Sequence, residues 1–235
     1  MTAFNKIANT DGHSAYANDN GIFFHTTDNN TSVLAVNGYL QFLNKILKFK
    51  IHKKNSCIDI GCGAGFIAKE FHKNGFNIKA LEYSDDAVQI AKKYNPELEI
   101  IQGDMTKFKE ENNFDFIFSR EVYLITRVNS FTDQLSTISN IIDSLKPGGV
   151  FMLVASDISY PHCMDYDLII KSLRKDNRIS HVSNKYYEII FTKLSKFIQG
   201  NLSYKLIELL LKPFIWYKKR YKNWASQYII TFEKK

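Results

Sequence analysis

Ser56-Cys57-Ile58-Asp59-Ile60-Gly61-Cys62-Gly63-Ala64-Gly65-Phe66 decides the fold. Its first half is apolar enough for a buried parallel strand, and its second half sets glycines where a strand must turn abruptly into a helix beginning near Ala64. Such a turn exposes backbone N–H groups at a helix N-terminus, which suit a carboxylate or phosphate. Asp59, at the strand end, can accept from an amine or hydroxyl. The stretch therefore predicts a strand-turn-helix ligand site.

Downstream, Ile67, Ala68 and Phe71 give the first helix an apolar face, and Asn74-Gly75 is a common C-cap pair. A second strand over Phe76 to Leu81 ends at Glu82. Ser84 then caps a helix carrying Ala87, Val88, Ile90 and Ala91, stopped by Asn95-Pro96. Glu99 to Gln102 is a short third strand, closed by Gly103-Asp104, and Phe114-Asp115-Phe116-Ile117-Phe118-Ser119 is the strongest strand signal in the chain. A helix over Phe131 to Leu145 is broken by Lys146-Pro147-Gly148-Gly149 before a fifth buried strand, Val150 to Ala155. This alternation predicts an α/β protein with a doubly wound, mostly parallel sheet, right-handed crossovers and helices on both faces.

Upstream, residues 2–30 carry His13, Tyr16 and His25 among many polar residues and read as a lid; apolar positions from Val33 to Leu47 recur at helical spacing. Beyond Ser156, helical patterns over Asp165 to Leu173, Tyr186 to Ile198 and Leu202 to Leu211 predict a helical cap insertion. Pro213 to Tyr221 and Gln227 to Phe232 read as a terminal antiparallel hairpin. The expected organisation is one domain: lid and helix over 1–54, cofactor-binding core over 55–156, cap over 157–211 and hairpin over 212–235.

The 235 residues, 45% of them hydrophobic, suffice for one substantial core. The net charge of +7 comes mostly from Lys spread along the chain and reads as a solvated basic surface, so a nucleic-acid partner is not expected. Cys57, Cys62 and Cys163 have neither metal-ligand nor disulfide spacing, which points to a reduced, cytoplasmic protein. No apolar run reaches the roughly 18 residues of a membrane span.

These residues resemble the class I S-adenosylmethionine-dependent methyltransferases, with their Rossmann-like fold, over about Ser56 to Ser156 and the terminal hairpin. Asp59-Ile60-Gly61-Cys62-Gly63-Ala64-Gly65 looks like the family's glycine-rich loop, and Glu82 like the acid ending strand two. Gly103-Asp104-Met105 looks like the adenine-contacting segment, and Leu145-Lys146-Pro147-Gly148-Gly149 like the turn before strand five. The resemblance implies S-adenosyl-L-methionine as cofactor, with S-adenosyl-L-homocysteine as product. Asp59 and the backbone of Gly61, Cys62, Gly63 and Gly65 would hold its amino-acid end, Glu82 its ribose, and Tyr83, Asp104 and Met105 its adenine. Ser119, at the end of strand four, completes the expected cofactor set. A dinucleotide fingerprint needs a glycine where this chain has Phe66.

Methyl transfer from a sulfonium needs positioning and, for a hydroxyl or ammonium acceptor, a base. The loop Ser119-Arg120-Glu121-Val122-Tyr123-Leu124-Ile125 lacks the Asn/Asp-Pro-Pro-Tyr/Phe segment of methyltransferases acting on exocyclic base amines and is partly similar to the Ser-Arg-Asp loop of phosphoethanolamine methyltransferases. It has Ile125 where that family presents a histidine. The candidates for base or acceptor contact are Glu121, Tyr123, His13, Tyr16 and His25, with His162 and Asp157 as weaker ones. The expected function is methyl transfer to an oxygen or nitrogen of a small metabolite by a monomer or homodimer, with no metal. The rivals are a nucleic-acid-modifying methyltransferase using the basic, aromatic segment Lys212 to Tyr221, and a cofactor-binding protein without catalysis.

Overall fold

Phe114, Phe116, Ile117 and Phe118 are fully buried because the strand that bears them runs through the middle of a sheet covered on both faces. Burying each such side chain contributes about 1.5–3 kcal/mol, and the continuous apolar run is what a two-faced burial demands. The computed structural model describes residues 15–18, 21–24, 36, 39, 40, 43, 55–122, 125, 130–156, 166–187 and 227–235.

In chain order these form β1 (Ala15–Asn18), β2 (Gly21–Phe24), β3 (Ser56–Ile60), α1 (Phe66–Lys73), β4 (Asn77–Glu82), α2 (Asp85–Tyr94), β5 (Glu99–Gln102) and β6 (Phe114–Arg120). Then come α3 (Phe131–Ser144), β7 (Leu145–Ser156), α4 (Tyr166–Lys175), β8 (Ile179–Tyr187) and β9 (Gln227–Lys234). Seven strands make one sheet in the order β5-β4-β3-β6-β7-β9-β8, parallel from β5 to β7 and antiparallel at β9. The doubly wound α/β architecture expected from the sequence is the one observed. The chain winds outward from β3 to β5 and returns to start again at β6, so the order reverses between β3 and β6. At such a switch point an open α/β sheet leaves a crevice outside its strand ends.

One face carries α1, α2 and the helical residues Val36, Tyr39 and Leu43, all in one core cluster; Tyr39 packs its ring 5.5 Å from that of Phe118. The other face carries α3 and α4 through Ile138, Ile141, Ile142, Ile169, Ile170 and Leu173. Asp59, opposite Phe118 and Ala80 in the sheet register, projects from the first face.

The antiparallel neighbours of β9 are β7 and β8, one along each edge; Pro213 to Tyr221, expected as its hairpin partner, lies outside the described residues. Two expectations need correction. Residues 179–187, placed by sequence inside the helical cap, are a sheet strand. Its register shifts between Ile179 and His181, which breaks the alternation a strand normally shows, and the edge position tolerates its polar residues. Lys146 to Gly149, read as a turn, belongs to β7 as a bulge: Phe114 faces Leu145 while Phe116 faces Val150. At the N-terminus β1 and β2 pair antiparallel, Ala15 with Phe24 through Asn18 with Gly21, a hairpin the lid reading did not contain. The helical pattern expected over Leu202 to Leu211, and the part beyond Tyr187 of that over Tyr186 to Ile198, lie outside the described residues.

Candidate active site

Gly61 leaves β3 with φ +74, and its amide and that of Cys62 both donate to the Leu81 carbonyl of the neighbouring β4, at 2.8 and 3.1 Å. Gly65, at φ +80, is the N-cap of α1 and donates to the Cys62 carbonyl at 3.0 Å. These left-handed conformations cost a residue with a Cβ about 1–2 kcal/mol each, which is why glycines stand there. Asn95, at the end of α2 and fully buried, donates its amide to the Ala64 carbonyl at 2.6 Å and braces the loop from outside.

Glu82, at the tip of β4 and 2% exposed, grips the same loop. Its Oε2 accepts from the Gly63 amide at 2.7 Å, and its Oε1 accepts from Tyr83 N and Ser84 N at 2.8 and 3.0 Å. The Gly61 to Gly65 backbone, expected with Asp59 to hold the cofactor's amino-acid end, is thus partly engaged within the protein. The amides of Gly61, Cys62, Gly63 and Gly65 already donate there. The cap residue of α1, Gly65, brings no side-chain cap, and Ala64 before it is fully buried. Gly63 itself, at φ +56, faces open space: a Cβ built there meets nothing within 4 Å.

Asp59 is 2% exposed, and its Oδ2 has no hydrogen-bond partner among the described residues. Burial, reinforced by the neighbouring Glu82 carboxylate and opposed by the Arg120 guanidinium, pushes its carboxyl up to about 8. A buried carboxylate without a partner costs several kcal/mol, so the atom marks a place where a cationic or donor group belongs. Burial and then the same two carboxylates push the Cys62 thiol well above its ordinary value, so it stays a thiol.

The adenine-side candidates diverge. Tyr83 is 62% exposed at the strand tip, with its ring free to wall a ligand, whereas Met105 is buried in the core beside Leu81 and Ile101. Asp104 is half-buried and closes its own turn, its Oδ1 accepting from the Thr106 amide at 2.9 Å and hydroxyl at 2.7 Å. The hydroxyl bond is the main reason its carboxyl sits below the usual range. Ser119 is fully buried and donates its hydroxyl to the Ile60 carbonyl at 3.0 Å, so its hydroxyl ties β6 to β3 inside the sheet.

On the acceptor side, Glu121 follows β6 directly, with its amide donating to the Val154 carbonyl at 2.9 Å and a left-handed φ of +53. A non-glycine residue held there stores strain, a feature concentrated at functional sites. Val122 packs on the glycine loop so closely that a Cβ on Gly61 would lie 2.4 Å from its Cγ2. The segment after β6 and the glycine loop are thus in direct contact. Tyr123, His13, His25, His162 and Asp157 lie outside the described residues, and Tyr16 is described only as backbone in β1. Sequence reasoning missed Asn95, which it took as a helix stop, as well as Val122 and Arg120. No local signal in the chain marks any of the three.

Two carboxylates at adjacent strand tips flanking a glycine turn at a switch point define a Rossmann-like cofactor-binding protein. The chain belongs to the methyltransferase domain family, whose model matches residues 51–225. It is 29% identical over 112 residues to the dTDP-3-amino-3,4,6-trideoxy-alpha-D-glucopyranose N,N-dimethyltransferase of Streptomyces venezuelae, covering 46% of this chain and 45% of that one. It is 27% identical over 141 residues to the malonyl-[acyl-carrier protein] O-methyltransferase of Buchnera aphidicola, covering 60% of this chain and 53% of that one. The chain thus spans about half the length of these curated relatives. Its fold matches that of the plantazolicin methyltransferase BpumL, solved with a pentazolic desmethylPZN analog and SAH, with a TM-score of 0.60 at 15% identity, covering 88% of this chain and 86% of that one. Among the described residues no helix is long and apolar enough to cross a membrane.

Proposed function

We propose that this protein is an S-adenosylmethionine-dependent methyltransferase acting on an oxygen or nitrogen of a small metabolite or biosynthetic intermediate. The observation that carries the reading is the pair Asp59 and Glu82, both 2% exposed, at the tips of neighbouring parallel strands on either side of the glycine loop. The unpartnered Asp59 Oδ2 and the open space over Gly63 fit the amino-acid end of that cofactor. The methyltransferase family and relatives that methylate a sugar nitrogen and a carrier-bound oxygen support the reaction class.

Asp59 would hold the cofactor's ammonium, the Gly61 to Gly65 backbone its carboxylate and Glu82 its ribose hydroxyls. Tyr83 walls the adenine. The bound cofactor supplies a sulfonium methyl open to in-line attack. Glu121, on the segment resting against Gly61 through Val122, would take the acceptor's proton, and Tyr123, His13, Tyr16 and His25 are the other candidates for base or acceptor contact. The body of the enzyme excludes water from the attack line and fixes the acceptor close to the methyl. A single methyltransferase domain in the cytoplasm, monomeric or homodimeric, is the organisation that goes with this reading.

Calorimetric titration with S-adenosylmethionine and, separately, with NAD tests the cofactor class. Binding of the first and not the second is expected. No binding of S-adenosylmethionine at millimolar concentration would falsify the proposal. Incubation with methyl-labelled cofactor and metabolite extracts then identifies the acceptor.

A further inference from the structure

Both ends of α2 are tied to the glycine loop, and at consecutive residues. Before its first turn, Glu82 Oε2 accepts from the Gly63 amide at 2.7 Å while Oε1 accepts at 3.0 Å from the amide of Ser84, the N-cap of α2. At its other end the C-cap residue Asn95 donates Nδ2 to the Ala64 carbonyl at 2.6 Å. The Ala64–Gly65 peptide is held on its opposite side too, since Gly65 N donates to the Cys62 carbonyl at 3.0 Å. Asn95 is itself anchored by its backbone, which donates to the Ala91 carbonyl at 2.9 Å and accepts from Leu98 N at 3.0 Å. Beside it Lys69 of α1 donates to the Tyr94 carbonyl at 3.1 Å and pairs with Glu97 at 3.5 Å.

Gly65 lies so close that a Cβ there would stand 3.1 Å from Asn95 Nδ2, with Ala91 Cβ and Ile100 Cδ1 at 3.6 and 3.8 Å. Asn95 is fully buried, and its Oδ1 has no hydrogen-bond partner among the described residues. An orphaned buried amide oxygen is a cost to stability, so what the polar side chain supplies at this place is the bond from Nδ2. We propose that Asn95 is a positioning residue for the cofactor: acting through the Ala64 carbonyl, it fixes the plane of the Ala64–Gly65 peptide and with it the shape of the glycine loop. The inference rests on the reading of that loop as the holder of the cofactor's amino-acid end. Glu82 and Asn95 flank one ten-residue helix, so α2 keeps the ribose-side acid and the loop at a set separation before any ligand arrives. Without the donor, the buried Ala64 carbonyl turns toward another partner and rotates the Gly65 amide with it, and binding must then re-order the loop.

S-adenosylhomocysteine is the probe, titrated calorimetrically into folded protein at several pH values. Asn95→Leu, of similar size but without a donor, should bind about tenfold more weakly than the parent. Asn95→Asp can donate to the Ala64 carbonyl only as the neutral acid, a form that burial favours. It should bind within about twofold of the parent at about pH 5 and lose ground to it as pH rises to about 9. Taking the ratio to the parent at each pH removes titrations common to both proteins. A merely structural amide alters the folded fraction and leaves the affinity of folded molecules, and this pH profile, unmoved. Equal affinity of Asn95→Leu and the parent, or a ratio of Asn95→Asp to the parent that does not change with pH, overturns the proposal and leaves Asn95 a helix cap. If Asn95→Leu fails to fold by circular dichroism, the pH profile of Asn95→Asp decides alone. Failure of the intact protein to bind the probe at all refutes the methyltransferase reading itself, which distinguishes the two.

Discussion

Glu82 Oε2 accepts a hydrogen bond from the Gly63 amide at 2.7 Å, so the acid at the tip of β4 holds the glycine loop as well as facing the cofactor's side of the sheet. Its other oxygen is engaged by Tyr83 N and Ser84 N. Removing the carboxylate therefore strips acceptors from three backbone donors, and with them the proposed ribose contact. Glu82→Ala should weaken S-adenosylmethionine binding by about 1.5–3 kcal/mol, the scale of a charge-assisted hydrogen bond, and also lower the urea midpoint. Loss of affinity with no loss of stability would show that the loop does not depend on this bond.

Gly61 and Val122 make a second such link. Gly61→Ala meets two obstacles: a left-handed φ of +74 and a Val122 Cγ2 only 2.4 Å from the new Cβ. The backbone term alone is about 1–2 kcal/mol, and the overlap adds to it. In the double variant Gly61→Ala, Val122→Ala the overlap is relieved while the backbone term stays. Urea denaturation of the four proteins in the cycle should show a favourable coupling between the two sites; strict additivity would remove the contact between cofactor loop and acceptor loop.

The buried Asp59 makes stability pH-dependent with a definite sign. Its carboxyl has an ordinary value of 3.8 and is pushed up to about 8 by burial and by Glu82. Below the ordinary value both folded and unfolded states hold the proton, whereas between the two values only the folded state does. The contribution is thus fully present in acid and is lost as pH rises from about 4 through about 8. In protein prepared without cofactor, the urea midpoint of Asp59→Asn should gain on that of the parent across this window. Parallel curves for the two proteins would place the titration elsewhere.

Much of this was legible because the core strands and helices announce themselves locally. Phe114 to Phe118 is an unbroken apolar run, Ser84 accepts from Ala87 N as a cap should, and Asn74-Gly75 ends α1 where the pair suggests. The strand-end positions of Asp59 and Glu82 were legible because glycines close the strand after Asp59 and Ser84 caps a helix just after Glu82. The destinations of the loop amides were not: whether Gly63 N meets a ligand or Glu82 depends on how two strands register, which is a tertiary fact. The same holds for Ser119 and Met105, whose side chains turn into the sheet and the core. β8 was lost because its bulge at Ile179 and His181 erases the period that identifies strands.

Glu121 combines a candidate chemical role with backbone strain, and the two can be separated. Its φ of +53 is relaxed by glycine, so Glu121→Gly should gain the left-handed term and give back the entropy of a freer unfolded chain, for a net change within about 1 kcal/mol of zero and on the stabilising side. Glu121→Gln keeps the backbone, the size and the Val154 contact while removing the proton acceptor. Both variants should bind S-adenosylmethionine as the parent does, since neither touches Asp59, Glu82 or the glycine loop. Once an acceptor is identified, both should lower the single-turnover methyl-transfer rate by about 100-fold or more, the lower range of what a general base contributes. A Glu121→Gln enzyme with full transfer rate would move the base to Tyr123 or to the lid residues, and the strain at Glu121 would then serve only to turn the chain over Gly61.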